Sequence, residues 1–245
     1  MPRPSPTRRR LGLSAGLASR KLPNSYGCGV QYDYLKLGSD IYRRSFEIIR
    51  EEANLERFPA DVEPAVVRMV HAAADPAIAD MVAFTPDVAS HTLAALERGA
   101  TILCDSSMVA TGIIRSRLPE GAQVVCHIKD PRLAELAAEQ GTTKTAAAVD
   151  LWQRDGLLDG GIVVIGNAPT ALFRTLEVCH ATGARPAAIV GIPVGFVGAA
   201  ESKQALVDDA LGLEYLTVLG RRGGSAMAVA AVNAMASASE TTNDR

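Results

Sequence analysis

The sequence contains few cysteines, and none of them belongs to a closely spaced pair. Cys28, Cys104, Cys126 and Cys179 are widely separated in 245 residues, and no CxxC motif occurs. Structural zinc sites normally use closely spaced ligand pairs, so we expect no metal site. Isolated cysteines in a chain of this size are typical of reduced thiols in a cytoplasmic protein, most of them buried as small apolar side chains.

Long apolar runs are absent as well. The longest uncharged stretch, residues 223–239, contains Ser225, Asn233 and Ser237, and the next, residues 186–200, is interrupted by glycine and proline. Both are shorter than the roughly 20 apolar residues that a membrane-spanning helix requires. We therefore expect no membrane-embedded segment.

An excess of positive charge is also missing, because 25 Lys and Arg residues are balanced by 27 Asp and Glu residues. This balance argues against nucleic-acid binding through bulk charge. Six basic residues and no acid lie in residues 1–31, which leaves 19 basic and 27 acidic residues in the rest. We interpret residues 1–31 as a disordered basic extension or a start placed too far upstream, rather than an export signal, and residues 238–245 as a frayed tail.

Three common catalytic motifs do not occur. The GxxxxGK[ST] phosphate loop and the GxGxxG dinucleotide fingerprint are missing, as is the GxSxG nucleophile turn. The glycines near residues 195–198 and 221–224 have the wrong spacing for either nucleotide motif. A nucleotide-dependent enzyme, which is one candidate class for a chain of this pattern, is therefore disfavoured, and we expect no cofactor.

Two kinds of apolar periodicity alternate from residue 32 onward. Short runs rich in Val and Ile predict five buried strands, at residues 101–104, 124–128, 161–165, 188–192 and 215–219. Helical spacing covers longer segments at residues 39–54, 61–73, 87–98, 106–114, 131–140, 144–158, 168–182, 200–210 and 224–236. This alternation predicts one α/β domain over residues 32–237, in which three α/β/α layers surround a mainly parallel, roughly five-stranded sheet of the Rossmann-like, doubly wound type.

Ligands of such sheets bind beyond the carboxyl ends of the strands. The turns that follow the predicted strands, such as residues 104–107, 166–170, 191–203 and 220–225, carry Gly, Ser, Thr or Asn next to a helix start. Free backbone N–H groups there can bind an anion. Ordinary helix capping explains the same residues, so both interpretations stay open.

His71 is the histidine with the most suggestive surroundings. In the helix that Asp61 is expected to cap, Arg68 precedes His71 by about one turn, and Asp75, one turn beyond, is placed to accept a hydrogen bond from the imidazole. A neighbouring cation disfavours protonation of an imidazole, and a bound polyanion favours it. A solvated charged face explains the same spacing. His127 is a weaker candidate, while His91 and His180 are expected on a solvated face and at a helix end.

The preceding helix carries Ser45 as the polar member of an apolar stripe that includes Tyr42, Phe46 and Ile49. Its hydroxyl can bond back to its own helix. If it faces Arg68 and His71, it can contact a ligand instead.

Seven segments together resemble the precorrin-8X methylmutase (precorrin isomerase) family of cobalamin biosynthesis, and they cover nearly all of residues 32–237 in the family's order. They are YDYLKLGSDIYRRSFEIIREEANL (32–55), RMVHAAAD (68–75), ILCDSSMVATGI (102–113), KDPRLAELAAEQGTTKTAAAVDLW (129–152), GNAPTALFRTLE (166–177), GIPVGFVGAAESK (191–203) and GRRGGSAMAVAAVNA (220–234).

The resemblance implies an isomerase that moves a methyl group from C-11 to C-12 of a corrin precursor and forms hydrogenobyrinate, or its cobalt form in the anaerobic branch. Because this migration is internal, no methyl donor is needed. The resemblance assigns His71 as the general acid and Ser45 and Arg68 as substrate-binding residues. Lys144 matches a further binding position at which the family often has Arg, and lysine keeps the charge but lacks the planar fork.

The resemblance also implies a homodimer that binds a corrin-type tetrapyrrole near the subunit interface. The substrate carries many acetate and propionate groups, so we expect cations and the backbone amides of the Gly-rich turns at residues 191–198 and 220–224 to hold its carboxylates. A corrinoid-binding carrier without catalysis is the alternative from a different functional class.

Overall fold

The sheet is assembled from short apolar runs, as the periodicity predicts. The computed structural model describes residues 32–237, so the expectations for residues 1–31 and 238–245 concern residues outside the description. By their internal contacts, residues 36–237 belong to one compact unit. Within residues 32–237, every helix is too short or too polar to cross a bilayer.

Six strands form one sheet in the order β1-β6-β5-β4-β2-β3. Their bounds are Val82–Phe84 (β1), Thr101–Cys104 (β2), Gln123–Val125 (β3), Ile162–Ile165 (β4), Ala188–Gly191 (β5) and Tyr215–Val218 (β6). All neighbouring pairs are parallel except β1 with β6, in which Val82 lies opposite Val218. The carboxyl ends of the five parallel strands therefore meet at one edge of the sheet, called the carboxyl edge below.

Helices cover both faces of the sheet. The central strands β4 and β5 are therefore buried along their whole length. One helical layer contains α1 (Gly38–Glu52), α2 (Glu63–Ala73), α3 (Ile78–Met81), α4 (Val88–Glu97), α5 (Ser107–Gly112) and α10 (Ser225–Met235). The other contains α6 (Arg132–Gln140), α7 (Lys144–Arg154), α8 (Pro169–Thr182) and α9 (Ala199–Asp208). The three-layer α/β prediction is confirmed.

The strand count and the bounds of the strand expected at residues 124–128 differ from the prediction, and three other strands differ by one residue at one end. The sheet has six strands rather than five. The prediction missed the antiparallel edge strand β1, because a strand of three residues is too short to show a period. The strand expected at residues 124–128 ends at Val125, and His127–Lys129 form a 3₁₀ turn instead. An edge strand of three residues has too few apolar positions for its ends to be read from the sequence.

Candidate functional site

Helices α1 and α2 place three of the expected site residues. On α1, Phe46 and Ile49 are buried, and Ser45 lies next to them at the margin of the buried face. Helix α2 begins at Glu63, with Pro64 in its first turn, where a missing N–H costs nothing. The expected cap by Asp61 is wrong, because Val62 occupies the cap position and the helix start has no side-chain cap hydrogen bond.

The imidazole of His71 is held by α1. Ser45 Oγ lies 2.8 Å from His71 Nδ1, so the hydroxyl bonds across to α2 rather than back to its own helix. The rings of Tyr42 and Phe46 lie 5.4 and 5.5 Å from the imidazole, centroid to centroid. With Nδ1 engaged by Ser45, Nε2 is the nitrogen left to exchange a proton with a ligand.

Arg68 is the half-buried cation of this group. Its guanidinium carbon lies 5.6 Å from the centre of the Phe46 ring, a distance at which cation and ring attract each other. Burial lowers the pKa of His71, and the positive charge of Arg68 lowers it further. The structure thus brings Ser45, Arg68 and His71 together around Phe46, and these surroundings favour the neutral form of the imidazole.

The expected hydrogen bond between Asp75 and His71 is wrong. Ala74 adopts the left-handed conformation (φ 51°, ψ 36°) and ends α2, so Asp75 no longer continues the helical face of His71. The Asp75 carboxylate instead forms an ion pair with Arg222 and accepts a hydrogen bond from the backbone N–H of Ala77 at 3.0 Å.

Lys144 stands apart from the other three residues. It is exposed at the first position of α7, in the opposite helical layer. The hydroxyls of Thr143, Thr145 and Thr170 lie within 2.8–3.3 Å of one another at this point, joining the starts of α7 and α8 at the carboxyl edge. Among the contacts described for residues 32–237, none joins Lys144 to His71. Lys144 and His71 thus belong to separate groups within one chain.

The crevice where the strand order reverses is closed. The chain leaves β2 for β3 on one side and continues from β4 on the other, and ligands of open α/β sheets commonly bind at this point. Here the buried carboxylate of Asp105, just after β2, accepts the backbone N–H groups of Gly166, Asn167 and Ala168 at 3.1, 2.8 and 2.8 Å. An internal anion thus occupies the amides that the sequence offers to a ligand.

The Gly-rich turns use two of their amides internally as well. Gly195 N–H donates to Arg221 O at 3.2 Å, and Gly224 N–H donates to Ile192 O at 2.9 Å. The two turns therefore pack against each other, contrary to the expectation that these amides face carboxylates of the substrate.

A cavity of about 460 Å³ opens at the carboxyl edge beside the end of α2. Its lining includes Ala72 and Asp75 from the end of α2, Val194 from the turn after β5, and Arg222 and Gly223 from the turn after β6. The cavity flanks the helix that carries His71 and does not enclose the imidazole. This volume can hold part of a large ligand. Ala72 and Val194 form an apolar wall, and the ion pair between Asp75 and Arg222 lies at the rim.

Sequence reasoning missed Arg222 and gave Lys203 no role. Lys203 is completely buried, and its Nζ donates to the carbonyl oxygen of Arg222 at 2.6 Å. Burial lowers the pKa of Lys203 to about 8. The signal for Arg222 was a pair of arginines inside a Gly-rich turn directly after a predicted strand, since side chains in such turns lie at the edge where ligands bind.

Each of the remaining histidines lies beside a carboxylate. Nε2 of His127 lies 3.7 Å from Asp155, Nδ1 of His91 lies 3.5 Å from Glu214, and Nε2 of His180 lies 2.8 Å from Asp209. Residues 32–237 contain no group of three or more His, Cys, Asp or Glu side chains arranged to hold a metal ion.

Comparison with known proteins gives one consistent family. The family model described as "Precorrin-8X methylmutase" matches residues 40–238. A Sinorhizobium protein and a Pseudomonas aeruginosa protein, both named precorrin-8X methylmutase, are 52% and 50% identical and cover 84% and 85% of this chain and 97% and 99% of their own length. Other relatives, 34–38% identical, are named cobalt-precorrin-8 methylmutase. The crystal structure of a Thermus thermophilus precorrin-8X methylmutase superposes with a TM-score of 0.73 at 38% identity, over 81% of this chain and 95% of that one.

Proposed function

Because the chain belongs to the precorrin-8X methylmutase family, we propose that it isomerises precorrin-8X to hydrogenobyrinate in cobalamin biosynthesis by moving a methyl group from C-11 to C-12. It is an isomerase, of the intramolecular methyl-transferring kind. The observation that carries the residue assignment is the half-buried group of His71, Ser45 and Arg68, in which one imidazole nitrogen is anchored and the other is available.

His71 is the general acid in this proposal. Nε2–H protonates the macrocycle, the bond from C-11 to the methyl carbon breaks, and the bond to C-12 forms as the ring double bonds shift. Substrate and product are isomers, so a proton leaves the ring system in the same turnover and returns to Nε2 of His71, which restores the imidazolium. The hydrogen bond between Ser45 Oγ and His71 Nδ1 supports this role, because it holds the ring in one orientation during the transfer.

Arg68 couples substrate binding to the protonation of His71. In the free protein, burial and the Arg68 cation both lower the pKa of His71. A substrate carboxylate that pairs with Arg68 neutralises this cation and adds negative charge beside the imidazole, which raises the pKa. Binding of the polyanionic macrocycle therefore favours the charged form of the acid, and the guanidinium can hold the carboxylate in bidentate fashion.

Lys144 and Ser45 complete the proposed set of substrate-binding residues. Lys144 lies at an exposed helix start beside three threonine hydroxyls at the carboxyl edge, where a carboxylate is favoured by the ammonium and by the helix dipole. Ser45 touches His71 directly, so its hydroxyl either bonds to the substrate in addition or acts only through the imidazole.

We propose a cytoplasmic homodimer. The support is a set of exposed apolar side chains next to the site elements. They comprise Leu37 just before α1, Ile41, Tyr42 and Ile48 on α1, and Val194, Phe196 and Val197 in the turn before α9. Apolar side chains exposed in such clusters commonly mark an interface. Light scattering after gel filtration tests this: a mass near 26 kDa, that of one chain, contradicts the dimer.

One experiment separates an isomerase from a corrinoid carrier. Metal-free precorrin-8X and its cobalt form are each incubated with a hundredfold deficit of protein, and absorption spectra follow the change in conjugation. We expect many turnovers with the metal-free substrate, since the relatives at 50–52% identity carry that name. Conversion limited to one equivalent supports the carrier, and a preference for the cobalt form supports the anaerobic branch.

A further inference from the structure

The backbone around Arg222 is fixed from several sides. A Cβ atom on Gly223 would lie 2.4 Å from Pro193 O and 2.6 Å from Ile192 O, so only glycine lets the two turns approach this closely. Gly224 N–H bonds to Ile192 O, and the buried ammonium of Lys203 bonds to Arg222 O from inside the protein. Burying the Lys203 ammonium costs free energy, and its hydrogen bond to the carbonyl of Arg222 offsets part of that cost. The same bond fixes the position of this loop carbonyl.

The side chain of Arg222 extends from this fixed backbone to the rim of the cavity beside α2. Its side chain is 51% exposed, and that of its partner Asp75 is 34% exposed. Within residues 32–237 the described hydrogen bonds give its guanidinium one acceptor, Asp75 Oδ2, contacted through Nη1. The other N–H groups of the guanidinium therefore remain available to a second, planar anion.

We propose that Arg222 binds a carboxylate side chain of the substrate and that Asp75 is the counter-ion that holds Arg222 in place until the substrate arrives. The inference rests on the proposed function, because it assigns Arg222 to an acidic macrocycle that also reaches His71. Arg222 is a binding residue in this scheme, and Lys203 is a positioning residue that acts through the carbonyl of Arg222.

The chemistry favours a carboxylate as the ligand. A guanidinium on a rigid backbone loses little freedom on binding, and the planar carboxylate matches its fork. The ion pair with Asp75 is half exposed, and such pairs are weak, so a substrate carboxylate can replace Asp75 or share the guanidinium with it. Ala72 and Val194 provide an apolar wall for the carbon skeleton that carries this carboxylate.

The test measures binding of metal-free hydrogenobyrinate by absorption titration, together with kcat and KM on precorrin-8X. Arg222→Gln is expected to raise the Kd and the KM at least tenfold, the loss typical of a charge-assisted hydrogen bond. Arg222→Lys recovers part of the affinity because it keeps the charge, and Asp75→Asn keeps the wild-type Kd or lowers it. Lys203→Met is expected to raise the KM as Arg222→Gln does, although the Arg222 guanidinium is still present.

Arg98→Gln is the matched control. It removes an exposed arginine at the end of α4, where the chain enters the opposite edge of the sheet.

The outcomes separate this inference from the function itself. Unchanged product binding in a folded Arg222→Gln protein overturns it, as does an equal loss of affinity in Arg222→Gln and Asp75→Asn, which indicates a purely structural ion pair. A similar loss in Arg98→Gln also overturns it, because the effect is then one of net charge. Wild-type protein that binds hydrogenobyrinate but does not turn over precorrin-8X contradicts the isomerase activity. The effect of Arg222→Gln on product binding can still be measured in that case.

Discussion

Ser45 Oγ lies 2.8 Å from His71 Nδ1, so a hydroxyl on α1 sets the orientation of an imidazole on α2. The two residues are 26 positions apart in the sequence. Because this contact engages one ring nitrogen, it determines which nitrogen can exchange a proton with the substrate.

Replacing Ser45 with Ala removes this contact. We expect kcat to fall about fivefold, equivalent to the roughly 1 kcal/mol that a neutral hydrogen bond contributes, with little change in KM. Ser45→Thr keeps the hydroxyl and should retain most of the activity. A rise in KM at constant kcat would instead assign Ser45 to substrate binding alone.

The pKa of His71 should respond to Arg68. Arg68→Gln removes the cation that disfavours the imidazolium, so the His71 pKa rises, yet it stays below 6.5 because burial is the larger cause of its depression. NMR titration of the imidazole carbon-bound protons measures this shift, with His71→Asn identifying the resonance. Arg98→Gln serves as the control. A fall in the pKa of His71 in Arg68→Gln would contradict the electrostatic coupling.

Lys203 should make stability depend on alkaline pH. Burial lowers its pKa from 10.5 to about 8, so between these values the unfolded chain binds more protons than the folded protein, and stability rises with pH through this window. Urea unfolding at pH 7.5 and pH 10 should show that the wild type gains stability relative to Lys203→Met. An equal response of both proteins to pH would show that the ammonium of Lys203 is well hydrated.

Asp105 should contribute to stability and not to substrate binding. Asp105→Asn places an amide where three backbone N–H groups converge and leaves part of them unsatisfied. We expect the free energy of unfolding to fall by about 2–3 kcal/mol. Asp87→Asn, at an exposed helix start without a side-chain cap bond, should change it little. If both variants unfold at the same urea concentration, the interpretation of the closed crevice is wrong.

Gly223 and Gly191 offer a matched pair of substitutions. Gly223→Ala sets a methyl group against backbone carbonyls that cannot move without separating the two turns. The nearest atoms to Gly191 are the ends of the Leu172 and Leu206 side chains, at 3.0–3.2 Å, and these can shift. Thermal unfolding should show a loss of about 3 kcal/mol for Gly223→Ala and about 1 kcal/mol for Gly191→Ala. Equal losses would mean that the turn after β6 is easily displaced.

Much of the fold could be predicted because its signals are local. Runs such as Ile162–Ile165 and the helical spacing of Arg132–Gln140 are each read from consecutive residues. The sequence also placed Arg68 and His71 on one helix, since their spacing of three residues brings them to the same side. Strand β1 was not predicted, because its pairing with β6 depends on residues more than 130 positions away.

The sequence by itself determined the α/β class, the family resemblance and the residues that carry the proposed chemistry, because these depend on residue type and short spacing. Only the tertiary structure decided that His71 pairs with Ser45 and Asp75 with Arg222, and that the amides of residues 166–168 are occupied by Asp105. Partners so far apart in sequence are chosen when helices pack and buried polar groups must find the donors and acceptors that packing brings within reach.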